Sequence, residues 1–383
     1  MKYLRWLLFP FSLLYGLVVM IRNWCYDAGI FKSHRFNKPI IAVGNLDVGG
    51  AGKTPMTEYL SRLLKDNYKL ATLSRGYRRE TKGFIEVGSR KSEVGSQEPG
   101  TVPGVLSGTT SWNDAPGAAS QVGDEPAQFS HKFPDITVAV CEKRVEGINN
   151  LLPGHDVILL DDAFQHRAVQ AGLSILLFDY NRLDEPHLLL PAGNLREPFS
   201  GRWRAQMIVV TKCPPNLTDD ERSEIYYKIG PLPYQSLFFT SIGYQQLQPF
   251  FGTAAGIGVD AETTVFLLTG IANAAPLVRY LCKSTPHIIH HKYPDHHRFT
   301  PKNIAKLAEE FGACPSLKKI IVTTEKDAMR LEELRLDAAQ YDAWKSALYI
   351  LPIQVEFLDG DGPRFDQLIT DYVRANTTNS SIH

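Results

Sequence analysis

Ile40-Ile41-Ala42-Val43-Gly44-Asn45-Leu46-Asp47-Val48-Gly49-Gly50-Ala51-Gly52-Lys53-Thr54-Pro55-Met56-Thr57-Glu58-Tyr59-Leu60 joins a short apolar run, a glycine-rich turn and a helix start. Ile40 to Val43, with its β-branched residues, is the pattern of a parallel strand buried on both faces. Gly44, Gly49, Gly50 and Gly52 have no Cβ, so backbone N–H groups there can converge on a phosphate. Lys53 and Thr54 open the following helix and add an ammonium, a hydroxyl suited to Mg²⁺ and the helix dipole. The strict phosphate-loop pattern wants glycine at position 47, where Asp47 stands. Gly49-Gly50-Ala51-Gly52-Lys53-Thr54 instead matches the variant GGxGKT loop, a nucleotide phosphate site that points to an NTP-binding enzyme.

Working outward, the chain has 383 residues, enough for two domains. Its 41 basic and 41 acidic residues balance, so no overall field favours a nucleic acid, and no obligate protein partner is evident. Cys25, Cys141, Cys213, Cys282 and Cys314 are odd in number and unpaired by any CxxC spacing, which argues for a reducing compartment and against a structural zinc or a disulfide framework. Trp6 to Ile21 carries no charge and lies between Arg5 and Arg22. It is short for a full span, and Pro10 and Gly16 weaken it, but it has almost no polar face. The expectation is an N-terminal membrane helix, spanning or lying in one leaflet.

After the loop, Thr57–Lys65 has the periodicity of an amphipathic helix. Strands are expected at Lys69–Ser74, Ile136–Cys141, Val157–Leu160, Leu173–Phe178 and Met207–Thr211. A second set follows at Leu237–Thr240, Val265–Leu268, Ile288–His291, Ile320–Thr323 and Leu348–Pro352, with helices at Ala275–Cys282 and Pro301–Phe311. The alternation predicts an α/β protein: a P-loop NTPase core with a mainly parallel sheet flanked by helices, plus a smaller α/β C-terminal domain. The expected segments are 1–33 for the membrane-associated helix and 34–230 for the core, broken by a flexible insertion at 89–121. The smaller domain then takes 231–375, with the boundary at Gly230–Pro233, and 376–383 forms a disordered tail.

Asp161 and Asp162 end a buried strand, where doubly wound sheets place their active crevice and where carboxylates suit Mg²⁺. Gln165 and His166 follow and could orient a ligand. Arg75, Arg78 and Arg196 sit in loops, with side chains able to grip a phosphate by two hydrogen bonds. His287, His290, His291, His296 and His297 cluster in sequence, yet strand alternation sends His290 and His291 to opposite faces, which disfavours zinc. Asp295-His296 before a helix is better suited to acid/base work. Gly123-Asp124-Glu125-Pro126 and Thr323-Thr324-Glu325-Lys326-Asp327 are further loop candidates.

The ordered set GNLDVGGAGKTP, LSRGY, VGDEP, LDDAFQHR, LPAGNLREP, PDHHRF and TTEKDA resembles one family, the tetraacyldisaccharide 4′-kinases of Gram-negative bacteria. The resemblance implies transfer of the γ-phosphate of ATP, with Mg²⁺, to the 4′-hydroxyl of a lipid A disaccharide precursor at the cytoplasmic face of the inner membrane. It implies Lys53 and Thr54 on the phosphates and metal, and Asp124 as the base assisted by His296. Glu125, Asp161, Asp162 and His166 would complete the metal and phosphate surroundings, with Arg75, Gln165 and Arg196 toward substrate. Ala163 departs from the family, which usually has glycine there; a positive φ at that position would strain alanine. A different reading of the same loop is a membrane-associated ATPase switch that positions a protein partner.

Overall fold

The computed structural model describes residues 7–76, 79, 81–87, 122–251, 257–332, 334 and 345–378. The expected insertion at 89–121 and Arg78 lie outside these residues. The chain forms two compact units. Among the described residues, those up to Val87, Phe129–Gly243 and those from Val355 onward make the first, and Val122–Gln128 with Tyr244–Gln354 make the second.

Helix α1 (Phe9–Asp27) comes first, followed by β1 (His34–Arg35), β2 (Ile40–Asn45), α2 (Lys53–Leu64), β3 (Leu70–Ser74) and β4 (Ile85–Val87). Next are α3 (Asp124–Lys132), β5 (Thr137–Val140), α4 (Arg144–Leu151), β6 (Val157–Asp161), β7 (Val169–Gln170), β8 (Leu173–Asp179) and β9 (Met207–Thr211). Helix α5 (Asp219–Ile229) and β10 (Ser236–Tyr244) complete this run. The remaining elements are β11 (Gln248–Pro249), β12 (Thr264–Thr269), α6 (Ala275–Leu281), β13 (Ile288–Lys292), α7 (Pro301–Ala313), β14 (Lys319–Thr323), α8 (Glu325–Glu332), β15 (Leu348–Ile350), β16 (Ile353–Phe357) and α9 (Gly362–Thr378).

The larger sheet runs β16-β10-β9-β8-β2-β6-β3-β5-β4. Strand β2 pairs parallel with both β6 and β8, and only β4 is antiparallel to its neighbour β5 among the registered pairs. All six residues of β2 and all five of β6 are buried, as central parallel strands require. The chain leaves β2 toward β3 on one side and reaches β8 on the other, so the carboxyl end of β2 is a switch point where such sheets bind ligands. Helix α2 packs inward through Met56, Leu60 and Leu64, one per turn. The second unit holds the sheet β11-β15-β14-β12-β13, parallel except for β11. Helix α7 is fixed by a Thr300–Asn303 capping box and buries Ile304, Leu307 and Phe311.

Three expectations need correction. Gly230–Pro233 is not a domain boundary: β10 pairs with β9 through Ser236–Phe239, so the first unit continues to Gly243, and the chain returns to it at Val355. The tail does not begin at Asn376, because α9 runs to Thr378 and the Asn376 and Thr377 side chains bond back to Tyr372 O and Val373 O. Among the described residues no helix is long and apolar enough to cross a membrane. Helix α1 instead docks one face through Ser12, Gly16 and Val19, while Phe11, Leu13, Leu14, Leu17, Val18, Met20, Ile21 and Trp24 stay exposed.

Candidate functional site

The phosphate loop is shaped by left-handed glycines, Gly49 (φ 120°) and Gly52 (φ 84°), a backbone that other residues rarely adopt. Two of its carbonyls are held from outside the loop. Thr211 Oγ1 donates to Ala51 O at 2.9 Å, and Lys212 Nζ donates to Gly50 O and, at 2.7 Å, to Asp179 Oδ2. In a trans peptide the N–H points opposite the carbonyl, so Thr211 turns the Gly52 N–H the other way. Lys53 Nζ donates to Asn45 Oδ1 at 3.2 Å and to Gly49 O at 3.4 Å, and lies 3.7 Å from Asp162 Oδ1. Thr54 is buried beside it in the first turn of α2. A cation held over a glycine loop at a helix N-terminus is an anion site built from backbone.

Strand β6 delivers the acidic pair. Asp161 is buried and accepts from Thr57 Oγ1 at 3.5 Å. Asp162 takes the left-handed conformation (φ 49°), which turns its carboxylate to Arg196; the two guanidinium nitrogens donate at 2.8 and 3.1 Å. The strain foreseen at Ala163 therefore lies one residue earlier, on Asp162. Burial would raise the Asp162 carboxyl, but the Arg196 hydrogen bonds and the Lys53, Arg196 and Arg144 charges outweigh it and hold its pKa below the usual carboxylate range.

Asn45 joins these groups. Its side-chain oxygen accepts from Lys53 and Arg196, and its backbone oxygen accepts from Arg196 and from Gln165 Nε2 at 2.8 Å. Gln165 also donates to Glu197 Oε1 at 3.0 Å, so its amide braces the loop rather than reaching outward. Glu197 is fully buried and receives Arg204 at 2.8 and 2.9 Å. Helix α1 meets the same strip, where Tyr15 OH donates to Arg196 O at 2.8 Å.

Arg144 is fully buried, donating to Cys141 O at 2.5 Å and Asp161 O at 3.3 Å, while its Nε has no hydrogen-bond partner. Burial lowers its pKa to about 10, partly offset by Asp161 and Asp162, which still leaves a cation at neutral pH. Burial, then the Arg144 and Arg75 charges, push His166 down to about 4. His166 is thus a neutral ring, and exposed Arg75 is close enough to act on it electrostatically. Asn45, Arg144, Glu197 and Lys212 were given no role by the sequence, although Asn45 stands in GNLDVGGAGKTP and Glu197 in LPAGNLREP.

The second unit carries the remaining candidates. Asp124 opens α3, and its side chain lies outside the described set. Glu125 pairs with Lys326 at 2.7 Å. His296 is left-handed (φ 58°); its N–H donates to Gly270 O at 3.0 Å, and its Nδ1 accepts from Arg330 Nη2 at 3.0 Å. Arg330 Nη1 also donates to Gly270 O at 3.0 Å and Asp327 Oδ1 at 2.8 Å, while Asp327 Oδ2 accepts from Gly270 N at 2.9 Å. His297 is structural, bonded to Asn303 and stacked on Tyr293. His290 bonds Thr269, and among the described residues no group of three or more His, Cys, Asp or Glu is placed to hold a metal.

Comparison with known proteins gives one consistent result. A family model described as tetraacyldisaccharide-1-P 4′-kinase (LpxK) matches residues 4–374. A tetraacyldisaccharide 4′-kinase of Bacteroides thetaiotaomicron is 41% identical over 98% of this chain and 95% of its own length. One from Bacteroides fragilis (strain ATCC 25285) is 43% identical over 99% and 95%. A crystal structure of LpxK from Aquifex aeolicus in complex with ATP superposes with a TM-score of 0.69 at 26% identity, covering 97% of this chain and 99% of that one.

Proposed function

The chain belongs to the tetraacyldisaccharide 4′-kinase family, and from that premise we propose that it transfers the γ-phosphate of ATP to the 4′-hydroxyl of a tetraacylated glucosamine disaccharide 1-phosphate. The observation that carries the reading is the Gly49–Thr54 loop, with Lys53 poised between Asn45 and Asp162, inside a chain that matches the family from residue 4 to 374.

Phosphoryl transfer is mostly positioning and charge stabilisation. Lys53 would exchange its contacts to Asn45, Gly49 and Asp162 for phosphate oxygens, while Arg196 keeps Asp162 ionised. Thr54, Asp161 and, by the family pattern, Glu125 offer only oxygen donors, which fits Mg²⁺. Both Asp162 oxygens are engaged by Arg196, which leaves Asp161 the better metal-side carboxylate. Bound there, Mg²⁺ would neutralise charge on the phosphates. Asp124, assisted by His296, would take the hydroxyl proton, with Arg75 and His166 lining the acceptor side.

The exposed apolar face of α1 suits a helix lying in one leaflet, at the cytoplasmic surface of the inner membrane. Acyl chains left in the bilayer avoid a cost of about 0.8 kcal/mol per CH₂. The test is transfer of labelled γ-phosphate from ATP to tetraacyldisaccharide 1-phosphate in detergent micelles. A labelled lipid is expected, with turnover falling about 100- to 1,000-fold in Lys53→Ala. Lys53-dependent ATP hydrolysis without labelled lipid would replace this reading with a partner-positioning ATPase.

A further inference from the structure

The segment Thr323–Asp327 and the helix it begins are left without a role by the mechanism above, yet among the described residues they build the most buried ion pair of the second unit. Thr324 caps α8, its hydroxyl donating to Asp327 Oδ2 at 2.8 Å and accepting from Asp327 N at 3.2 Å. Asp327 is fully buried and Arg330, one turn on, nearly so. The Asp327 carboxylate and the Arg330 guanidinium grip opposite sides of Gly270, one at its N–H and the other at its carbonyl. A Cβ at Gly270 would stand 3.2 Å from both Asp327 Oδ1 and His297 Cβ, so the approach is tight. With the fork fixed on two sides, its second nitrogen is aimed at His296 Nδ1.

A guanidinium can only donate, so Nδ1 must accept, and the proton of a neutral imidazole then resides on Nε2. We propose that Arg330 is a positioning residue that fixes His296 as the Nε2–H tautomer, so that the ring serves as a hydrogen-bond donor to an anionic oxygen and not as a base. This rests on His296 acting in the phosphoryl transfer proposed above. The positive φ of His296 presents the ring in one orientation, held by its own N–H on Gly270 O. Asp295 Oδ2, 3.9 Å from Nε2, is the near carboxylate on the same loop. The step assigns proton removal from the hydroxyl to a carboxylate, with His296 orienting that carboxylate or the transferred phosphate through Nε2–H.

The experiment is ¹⁵N NMR of the full-length protein labelled at histidine, with the His296 signals identified by their loss in His296→Gln. Wild type is expected to show Nδ1 unprotonated and Nε2 protonated in one tautomer. Arg330→Met should give averaged tautomers and lower kcat about tenfold or more, with KM for ATP held within about twofold. An Nδ1–H tautomer in wild type, or an unchanged tautomer in Arg330→Met, overturns the proposal. The wild-type spectrum decides alone if Arg330→Met does not fold. An enzyme that labels no lipid while His296 is Nε2–H would end the kinase reading and leave the tautomer assignment standing.

Discussion

The carboxyl end of β6 and the loop after β12 use the same parts to opposite ends. Each sets an arginine on an aspartate and includes a left-handed residue: Arg196 on Asp162, itself left-handed, in the first unit, and Arg330 on Asp327 and left-handed His296 in the second. Their exposure separates them. The Arg196 and Asp162 side chains are 22% and 39% exposed, whereas Arg330 and Asp327 are 6% and 0%. Water competes for the first pair, so an arriving phosphate can rearrange it at small cost. The second pair is sealed and cannot trade partners without stranding a buried charge. The first pair can exchange partners, and the second holds its neighbours still.

The largest expected effect tests that division. Asp327→Asn should cost about 3–5 kcal/mol in urea unfolding, because Arg330 keeps its charge and loses its buried partner. Asp162→Asn should cost about 0–1 kcal/mol by the same measurement, while removing most turnover. Equal costs would break the comparison, for Asp162 would then be as structural as Asp327.

How far each region was legible in the sequence follows from what carries it. The phosphate loop is carried by local backbone: a β-branched run, glycines at left-handed positions, then Lys53 and Thr54, all within a few residues. The parallel alternation was legible for the same reason, since strands such as Val157–Asp161 are unbroken apolar runs. Arg330 is carried by packing. It meets Gly270 and His296 only after β12, β14 and α8 have assembled, and no local spacing announces such a meeting. Asn45 was hidden differently, as a polar residue at the end of a strand whose apolar run held attention. The boundary at Gly230–Pro233 failed because a Gly-Pro turn between a helix and a strand has the same composition as a linker.

A smaller effect belongs to the first region alone. His166 falls from an ordinary 6.5 to about 4 in the fold, so the unfolded chain binds a proton there between those values and the folded chain does not. Stability should therefore decline as pH drops from 6.5 toward 4, with a slope reaching about 1.4 kcal/mol per pH unit from this group. His166→Asn should remove that component of the slope in urea titrations across the window. An unchanged slope would mean the ring is hydrated and lies open, as the Arg196–Asp162 pair does.

The smallest effect concerns Ala163. Family resemblance invites the substitution Ala163→Gly as a repair, yet Ala163 is absent from the left-handed residues and Asp162, before it, is among them. Its methyl is buried with Ile40, Ala42 and Leu160, and its N–H donates to Val43 O at 3.3 Å. Glycine would relieve no strain, would loosen the unfolded chain and would empty a packed position, for a loss of about 0.5–1 kcal/mol with turnover unchanged. A gain in stability would instead show that the turn after Asp161 is strained at both residues. The open pair would then owe its exposure to a backbone under tension, not to a carboxylate placed for a ligand.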